Sequence, residues 1–357
     1  MKYKFEDIIF NITEKKKPSD EDKLNYIGLE HLESGSLFIN SWGSERTPDG
    51  EKIVMKKGDV LFGKRRAYQK KVAISPCDGI FSAHGMVLRP KEDVICKDFL
   101  PFFISSDTFL NEAIRISVGG LSPTINWKDI KELEFELPSI EDQKIISDKL
   151  WAAYELKRSY QDMIKATDEM VKSQFIEMFG GHSTVVKLKD VVTIMDDKRK
   201  PINEGERSAM KDGELYPYYG ATGVVDYIND YLTDERLLCI AEDCGNYGPG
   251  EESSYIIEGK AWVNNHAHVV KPNDELCDIT YLHNYLKVTD LLPFVSGTTR
   301  KKLTQKAMSD LDIILPQIDK QREYVSICDQ ADKSKFELKK AIEAIDKVIK
   351  SLINENL

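Results

Sequence analysis

No stretch of eighteen apolar residues occurs in the sequence, so no membrane-spanning helix is expected. The first residues, Met1-Lys2-Tyr3-Lys4-Phe5-Glu6-Asp7, lack the apolar run of a secretory leader, and a cytoplasmic location is the expectation. Cysteine is sparse: six residues, at 77, 96, 239, 244, 277 and 328, with no C-x-x-C spacing. In a chain of 357 residues they read as reduced thiols rather than a disulfide framework. Cys239 and Cys244 stand without the clustered ligands that a zinc site needs.

Catalytic signatures are equally scarce. The Asn-Pro-Pro-aromatic or Asp-Pro-Pro-aromatic tetrapeptide of amino-methyltransferases is missing, and so is a glycine-rich turn for S-adenosylmethionine. Residues Gly58-Asp59-Val60-Leu61-Phe62-Gly63-Lys64-Arg65 approach a phosphate loop, but Arg65 replaces the hydroxyl that would hold Mg²⁺ and Val60-Leu61-Phe62 reads as strand. Asp243 with Glu258-Gly259-Lys260 can be set against a nuclease pattern, yet E-x-K triplets arise by chance in a chain with 31% charged residues. His84 and His266 lie in apolar runs and read as structural. No catalytic residue and no metal ligand is therefore assigned.

Apolar residues make up 41% of the chain, enough for real cores, and the length suits two or three modules. The net charge is −10. Residues 1–140 are nearly neutral and residues 184–318 carry most of the excess. Binding to phosphate follows the local field, so this total neither supports nor excludes nucleic acid.

The sequence repeats itself. Leu137-Pro138-Ser139-Ile140-Glu141-Asp142-Gln143 matches Leu315-Pro316-Gln317-Ile318-Asp319-Lys320-Gln321 at an offset of 178, which also pairs Gly119 with Gly297 and Leu133 with Leu311. Lys4-Phe5-Glu6-Asp7-Ile8-Ile9 matches Lys187-Leu188-Lys189-Asp190-Val191-Val192 at 183, and His84 matches His266 at 182. The middles, roughly 19–75 and 202–258, do not match. Similar frames around divergent middles imply one physical task performed on two targets.

Each half opens with short β segments and turn signals, continues through a helical stretch (98–115 and 279–292), and closes with Leu-Pro and a long helix. In the long helices a heptad seam runs from Ile146, Leu150 and Ala153 to Val171 and Met178, and again from Tyr324, Cys328 and Ala331 to Ile349 and Leu352. Lys157 and Lys335 break it at the same level. So narrow a seam predicts that the two helices, each roughly 57 Å long at 1.5 Å per residue, pack on each other. The alternative is that each packs on its own globular domain.

Cations cluster in Lys64-Arg65-Arg66-Ala67-Tyr68-Gln69-Lys70-Lys71, where Lys64, Arg65, Arg66, Lys70 and Lys71 suit phosphates, Arg65 and Arg66 also suit base edges, and Tyr68 adds an aromatic. The acidic second half offers Lys198-Arg199-Lys200 and Arg300-Lys301 after Ser296-Gly297-Thr298-Thr299. That last loop reads as a shared turn first and a phosphate contact second. Tyr218 and Tyr219, in Tyr216-Pro217-Tyr218-Tyr219-Gly220, either face bases or form a core strand. Asn246 and Tyr247 sit in a loop of the contact type.

Two variable halves, each closed by a glycine loop, Leu-Pro-x-Ile-x-x-Gln and a long helix, resemble the DNA specificity subunit of type I restriction–modification systems. The likeness covers essentially the whole chain. It implies an α+β fold: two pseudo-repeated mixed α/β target-recognition domains (1–140 and 184–318) joined by two long antiparallel coiled-coil helices (141–180 and 319–357). It also implies recognition of a bipartite double-stranded DNA site by a non-catalytic subunit with no cofactor of its own. Two modification (methyltransferase) subunits carrying S-adenosylmethionine would dock on it, and restriction–translocation subunits would join them. One departure is Gly119-Gly120-Leu121-Ser122-Pro123, where the family more often has Gly-Thr followed by basic residues. Rival readings are a protein-only coiled-coil scaffold and a nuclease or fused restriction enzyme.

Overall fold

Short apolar runs between glycine turns become strands, because alternate side chains can be buried while the turns reverse the chain. The computed structural model describes residues 1–181, 184–243, 245–297 and 300–356. Strands of the first half are β1 (Lys2–Lys4), β2 (Ile9–Ile12), β3 (Lys15–Lys16), β4 (Tyr26–Ile27), β5 (Lys52–Met55), β6 (Val60–Phe62), β7 (Val72–Ile74), β8 (Gly79–Phe81), β9 (Met86–Pro90) and β10 (Glu134–Glu136). Those of the second half are β11 (Val185–Lys187), β12 (Val192–Ile194), β13 (Tyr216–Tyr219), β14 (Val224–Ile228), β15 (Thr233–Asp234), β16 (Leu237–Ala241), β17 (Ser254–Ile257), β18 (Lys260–Val263), β19 (Ala267–Pro272) and β20 (Asp312–Ile314). The longest helices are α1 (Asp107–Arg115), α2 (Ile140–Phe179), α3 (Ile279–Val288) and α4 (Ile318–Asn356).

The repeat is visible in the hydrogen-bond register. One sheet of the first half has the order β2-β9-β6-β7, and its counterpart is β12-β19-β16-β17. Val60 faces Leu88 and Ile74 as Leu238 faces Val270 and Ile256. The terminal ribbons also agree, Tyr3 facing Phe135 and Val186 facing Ile313. The second sheets differ at an edge. The first half runs β3-β5-β8-β4 and the second β14-β13-β18-β15. In both, one strand is parallel to the β8/β18 position (β4 and β13) and one antiparallel (β5 and β15). The extra strand lies beside β5 in the first half, just before the segment whose sequence diverges, and beside β13 in the second, inside it.

Contacts divide the chain into two compact units, Met1–Asp162 with Leu338–Leu357, and Met163–Glu337. The unit limits therefore cut through α2 and α4, whereas the boundaries expected near 140 and 318 coincide with the starts of those helices. The first core is aromatic: Phe5, Phe62, Phe103, Phe109 and Phe135 are all buried, and the Phe5 and Phe109 ring centroids are 5.0 Å apart. The second gathers Phe175, Phe179, Tyr281, Tyr285 and Tyr324. The expected helix at 98–115 is interrupted at Ser106, whose hydroxyl leaves the chain to accept the Phe109 amide and cap α1.

Each long helix follows a proline that excludes earlier helical hydrogen bonding. In the first unit Ile146, Leu150 and Tyr154 of α2 enter the core, and Ile349, Leu352 and Ile353 of α4 pack on the same cluster. In the second unit Tyr324 and Cys328 of α4 are buried with Phe175 of α2, and Val171 packs against them. The start of each long helix thus meets the end of the other, which is an antiparallel pair. Helix-on-helix and helix-on-domain packing are realised together. The two lysines that break the seam each form a cross-helix ion pair: Lys157 with Asp346 at 2.6 Å in the first unit, Lys335 with Asp168 at 2.8 Å in the second.

The repeated glutamine has a structural role. Gln143, fully buried, accepts from the Cys96 amide and donates to the Val94 and Pro138 carbonyls. Gln321, equally buried, accepts from the Asp278 amide and donates to the Leu276 and Pro316 carbonyls. A primary amide can satisfy donors and acceptors at once, which the burial of this corner demands.

Candidate nucleic-acid interface

In the first unit the cation-rich segment is a loop between two neighbouring strands. β6 ends at Phe62, and the Gly63 amide donates to the Lys71 carbonyl, 2.9 Å, closing the loop before β7. Arg66 and Lys70 have φ of 53° and 49°, the only positive values outside glycine among the described residues. That conformation crowds Cβ and costs on the order of 1–3 kcal/mol per residue. Backbone bonds impose it: the Arg66 amide donates to Pro123 (2.7 Å) and the Lys70 amide to Ala67 (2.9 Å).

The loop's side chains divide into free ends and tethers. Arg65 and Arg66 are exposed, as is 54% of Tyr68. One Arg65 nitrogen lies 3.4 Å from His84 Nε2, and Arg66 Nε donates to Ser122 Oγ at 3.2 Å. Lys70 is paired with Asp107 at 2.7 Å, and Lys71 donates to the Leu29 carbonyl. Burial, aided by Lys15, lowers the Lys64 pKa. Burial also lowers that of His84, with Arg65 and Lys64 adding repulsion, so its imidazole is neutral near pH 7.

The second unit builds the same corner from other residues. The Ile125 amide donates to Lys64 in the first unit, and the Leu303 amide donates to Glu242 in the second. Likewise the Arg65 amide meets the His84 carbonyl as the Asp243 amide meets that of His266. The closing loops agree too: Val118 bridges Thr124 as Ser296 bridges Lys302, and Gly119 and Gly297 have φ of 114° and 89°. Only glycine takes that conformation readily, which explains why this pair survives in the sequence repeat.

Here acids replace the cations. Asp243 accepts from Arg300 at 2.8 Å and from His266 at 2.7 Å. Glu242 is bound to Lys302 at 2.7 Å and to Arg199. Burial opposes ionisation of Asp243 and Glu242, but their basic partners outweigh it and hold both carboxyls below the ordinary range. Asp196 follows the same rule: burial is overcome by bonds from His268 and the Val269 amide, then by Arg199.

The sequence-derived set is thus sorted. Arg65, Arg66, Tyr68, Lys200, Asn246, Arg300 and Lys301 are exposed, and Lys64, Lys70, Lys71, Lys198 and Tyr219 are half-buried. Arg199 is held among Asp196, Glu242 and the Ala267 carbonyl, so it serves the fold. Tyr218 and Tyr247 are 2% and 1% exposed: one ring lies in the sheet core under Arg207, and the other hydroxyl donates to the Ala241 carbonyl. Neither presents a face to solvent. Tyr219 stacks on Tyr255 with centroids 5.4 Å apart. The suggested hydroxyls Thr298 and Thr299, and also Cys244, lie outside the described residues. His266 is not only structural, since it reaches the surface beside Asp243 and Arg300. Sequence reasoning missed Glu242 and Asp243 as counterparts of Lys64 and Arg65; the offset of 178, carried back from Gly119 and Gly297, pairs them.

Among the described residues no helix is long and apolar enough to cross a membrane, and no group of three His, Cys, Asp or Glu is placed to hold a metal.

The family model for the type I restriction modification DNA specificity domain matches residues 2–163 and again 182–346. The chain belongs to this family. A type I restriction enzyme specificity subunit of Haemophilus influenzae is 34% identical over 145 residues, which is 40% of this chain and 35% of that protein. The MjaX type I restriction enzyme specificity subunit of Methanocaldococcus jannaschii is 23% identical and aligns with 94% of this chain and 87% of its own. The fold is shared with the type I restriction-modification S subunit of M. genitalium (TM-score 0.59, 14% identity, 99% and 94% of the two chains). It is also shared with a chain from a study of complex assembly and conformational transition of the type I R-M system (TM-score 0.58, 18% identity, 100% and 97%).

Proposed function

We propose that this specificity-family chain recognises double-stranded DNA at a bipartite site, each unit reading one half, and that it directs the chemistry of partner subunits rather than performing its own. The observation that carries this reading is the corner built twice on one backbone register, with different exposed charged side chains in each copy. Loop cations supply sequence-independent grip on phosphates, and side chains of differing chemistry test base edges. In this reading the contacts come from Lys64, Arg65, Arg66, Tyr68, Lys70 and Lys71 in the first unit and from Lys198, Lys200, Tyr219, Asn246, Arg300 and Lys301 in the second.

The partners would be two modification subunits bringing S-adenosylmethionine, joined by restriction–translocation subunits. Exposed apolar side chains on α2 favour docking: Leu156 in the first unit, Met163 and Met170 in the second, 44%, 52% and 48% exposed. The reading is tested by selecting duplexes from a random pool with the full chain. Two conserved blocks with a fixed gap are expected, and the double substitution Arg65→Ala/Arg66→Ala should abolish enrichment of the block read by the first unit. Equal affinity and unchanged preference in the double variant would remove those arginines from the interface.

A further inference from the structure

The repeated corner carries a guanidinium beside a histidine in both units, but the arginine comes from opposite loops. In the first unit Arg65, on the loop after β6, lies 3.4 Å from His84 Nε2. In the second, Arg300, on the glycine loop before β20, lies 3.4 Å from His266 Nδ1. The position equivalent to Arg65 is Asp243, and the position equivalent to Arg300 is Ser122, both at an offset of 178. The cation has therefore changed loops, and an acid occupies the place it left.

The exchange is chemically coherent. Asp243 Oδ2 accepts from Arg300 and Oδ1 from His266, so the carboxylate orients both groups. In the first unit the orienting contacts on the neighbouring cation are neutral: Arg66 Nε donates to Ser122 Oγ. Both reading arginines are exposed, Arg300 with 58% of its side chain open. The Asp243 side chain is only 12% exposed, which fits a support and not a contact. An arginine placed beside the equivalent histidine in both units, from whichever loop, and presented outward suits the paired acceptors O6 and N7 of guanine in the major groove. A pure phosphate grip needs neither the histidine nor the carboxylate.

We infer that Arg65 and Arg300 are the specificity-determining residues of their respective half-sites, each reading a guanine, and that Asp243 is the positioning residue for Arg300. This rests on the reading that the chain recognises a bipartite DNA site.

The test uses the full chain, random-duplex selection, and competition with duplexes altered at single base pairs. Arg65→Lys and Arg300→Lys keep the charge and lose the bidentate fork. Each should lower discrimination at one guanine of its own block by about tenfold or more, as one bidentate contact is worth, leaving the other block intact. Asp243→Asn should lower discrimination at the Arg300 guanine while binding to non-cognate duplex stays within about twofold. The other base pairs of the same block report on folding, since a misfolded unit loses all of them together. Lysine variants that keep every base preference would make the arginines phosphate contacts and overturn the inference. Unchanged preference in Asp243→Asn would overturn the positioning role. A wild-type chain that enriches no bipartite site would defeat the underlying reading itself.

Discussion

The sheet β2-β9-β6-β7 of the first unit ends in a loop of cations held in left-handed backbone, while the matching sheet β12-β19-β16-β17 of the second ends in Glu242 and Asp243. Register, turn glycines and the buried glutamine are the same in both. The comparison teaches that this fold separates two requirements. Backbone hydrogen bonding and core volume fix where the loops emerge. The side chains on those loops change sign where a partner charge changes with them, as buried Asp243 does with Arg300.

Removal of the shared glutamine should have the largest effect, and it should be equal in the two units if the frame is truly common. Gln143→Leu leaves the Cys96 amide and two carbonyls unsatisfied, and Gln321→Leu does the same at Asp278. Each is expected to cost about 3 kcal/mol in urea unfolding. A large cost in one unit with none in the other would break the equivalence.

Acid should separate the units at an intermediate scale. Asp196 has its pKa lowered, with burial opposing and bonds from His268 and Val269 prevailing. A depressed carboxylate adds stability that is complete above its unfolded value, near pH 4, and vanishes as pH falls through the lower folded value. Asp196→Asn is therefore expected to destabilise the second unit by about 2 kcal/mol at pH 7 and by progressively less below pH 4. Trp262 lies in the second unit and Trp42, Trp127 and Trp151 in the first, so single-tryptophan variants report each unit separately. A cost independent of pH would exclude the ionised form as the source.

The cross-helix pairs sharpen the comparison at its finest. Lys157→Ala and Lys335→Ala should each cost less than about 1 kcal/mol, since both partner aspartates are exposed. The two values should agree within experimental error in thermal unfolding.

Much of this arrangement was legible in the sequence. The repeat, the long helices and the Leu-Pro-x-Ile-x-x-Gln corner were visible because periodic burial and a proline stop leave strong marks. Lys157 and Lys335 stood out as breaks in an apolar seam, but their partners Asp346 and Asp168 are set by antiparallel pairing, which spacing alone does not reveal. Tyr218 and Tyr247 misled because aromatic residues beside glycine serve a core strand as readily as a binding face. Arg199 misled for a related reason: a charge run on paper is a buried ion pair once Asp196 and Glu242 fold beside it. The link between Arg65 and Asp243 was hidden by divergent side chains, and only the offset of 178 carried back from Gly119 and Gly297 pairs the two positions.

One measurement bears directly on the claim that two unlike readers share one spacer. Residues 158–164 and 339–345 would be deleted together, removing one heptad from each long helix between the two ion pairs. Seven residues amount to about 10 Å of helix, or about three base pairs at 3.4 Å per step. Duplex selection with the shortened chain should return both half-site sequences unchanged with a gap about three base pairs shorter. The same gap as in the full-length chain, recovered with both half-sites intact, would contradict the account.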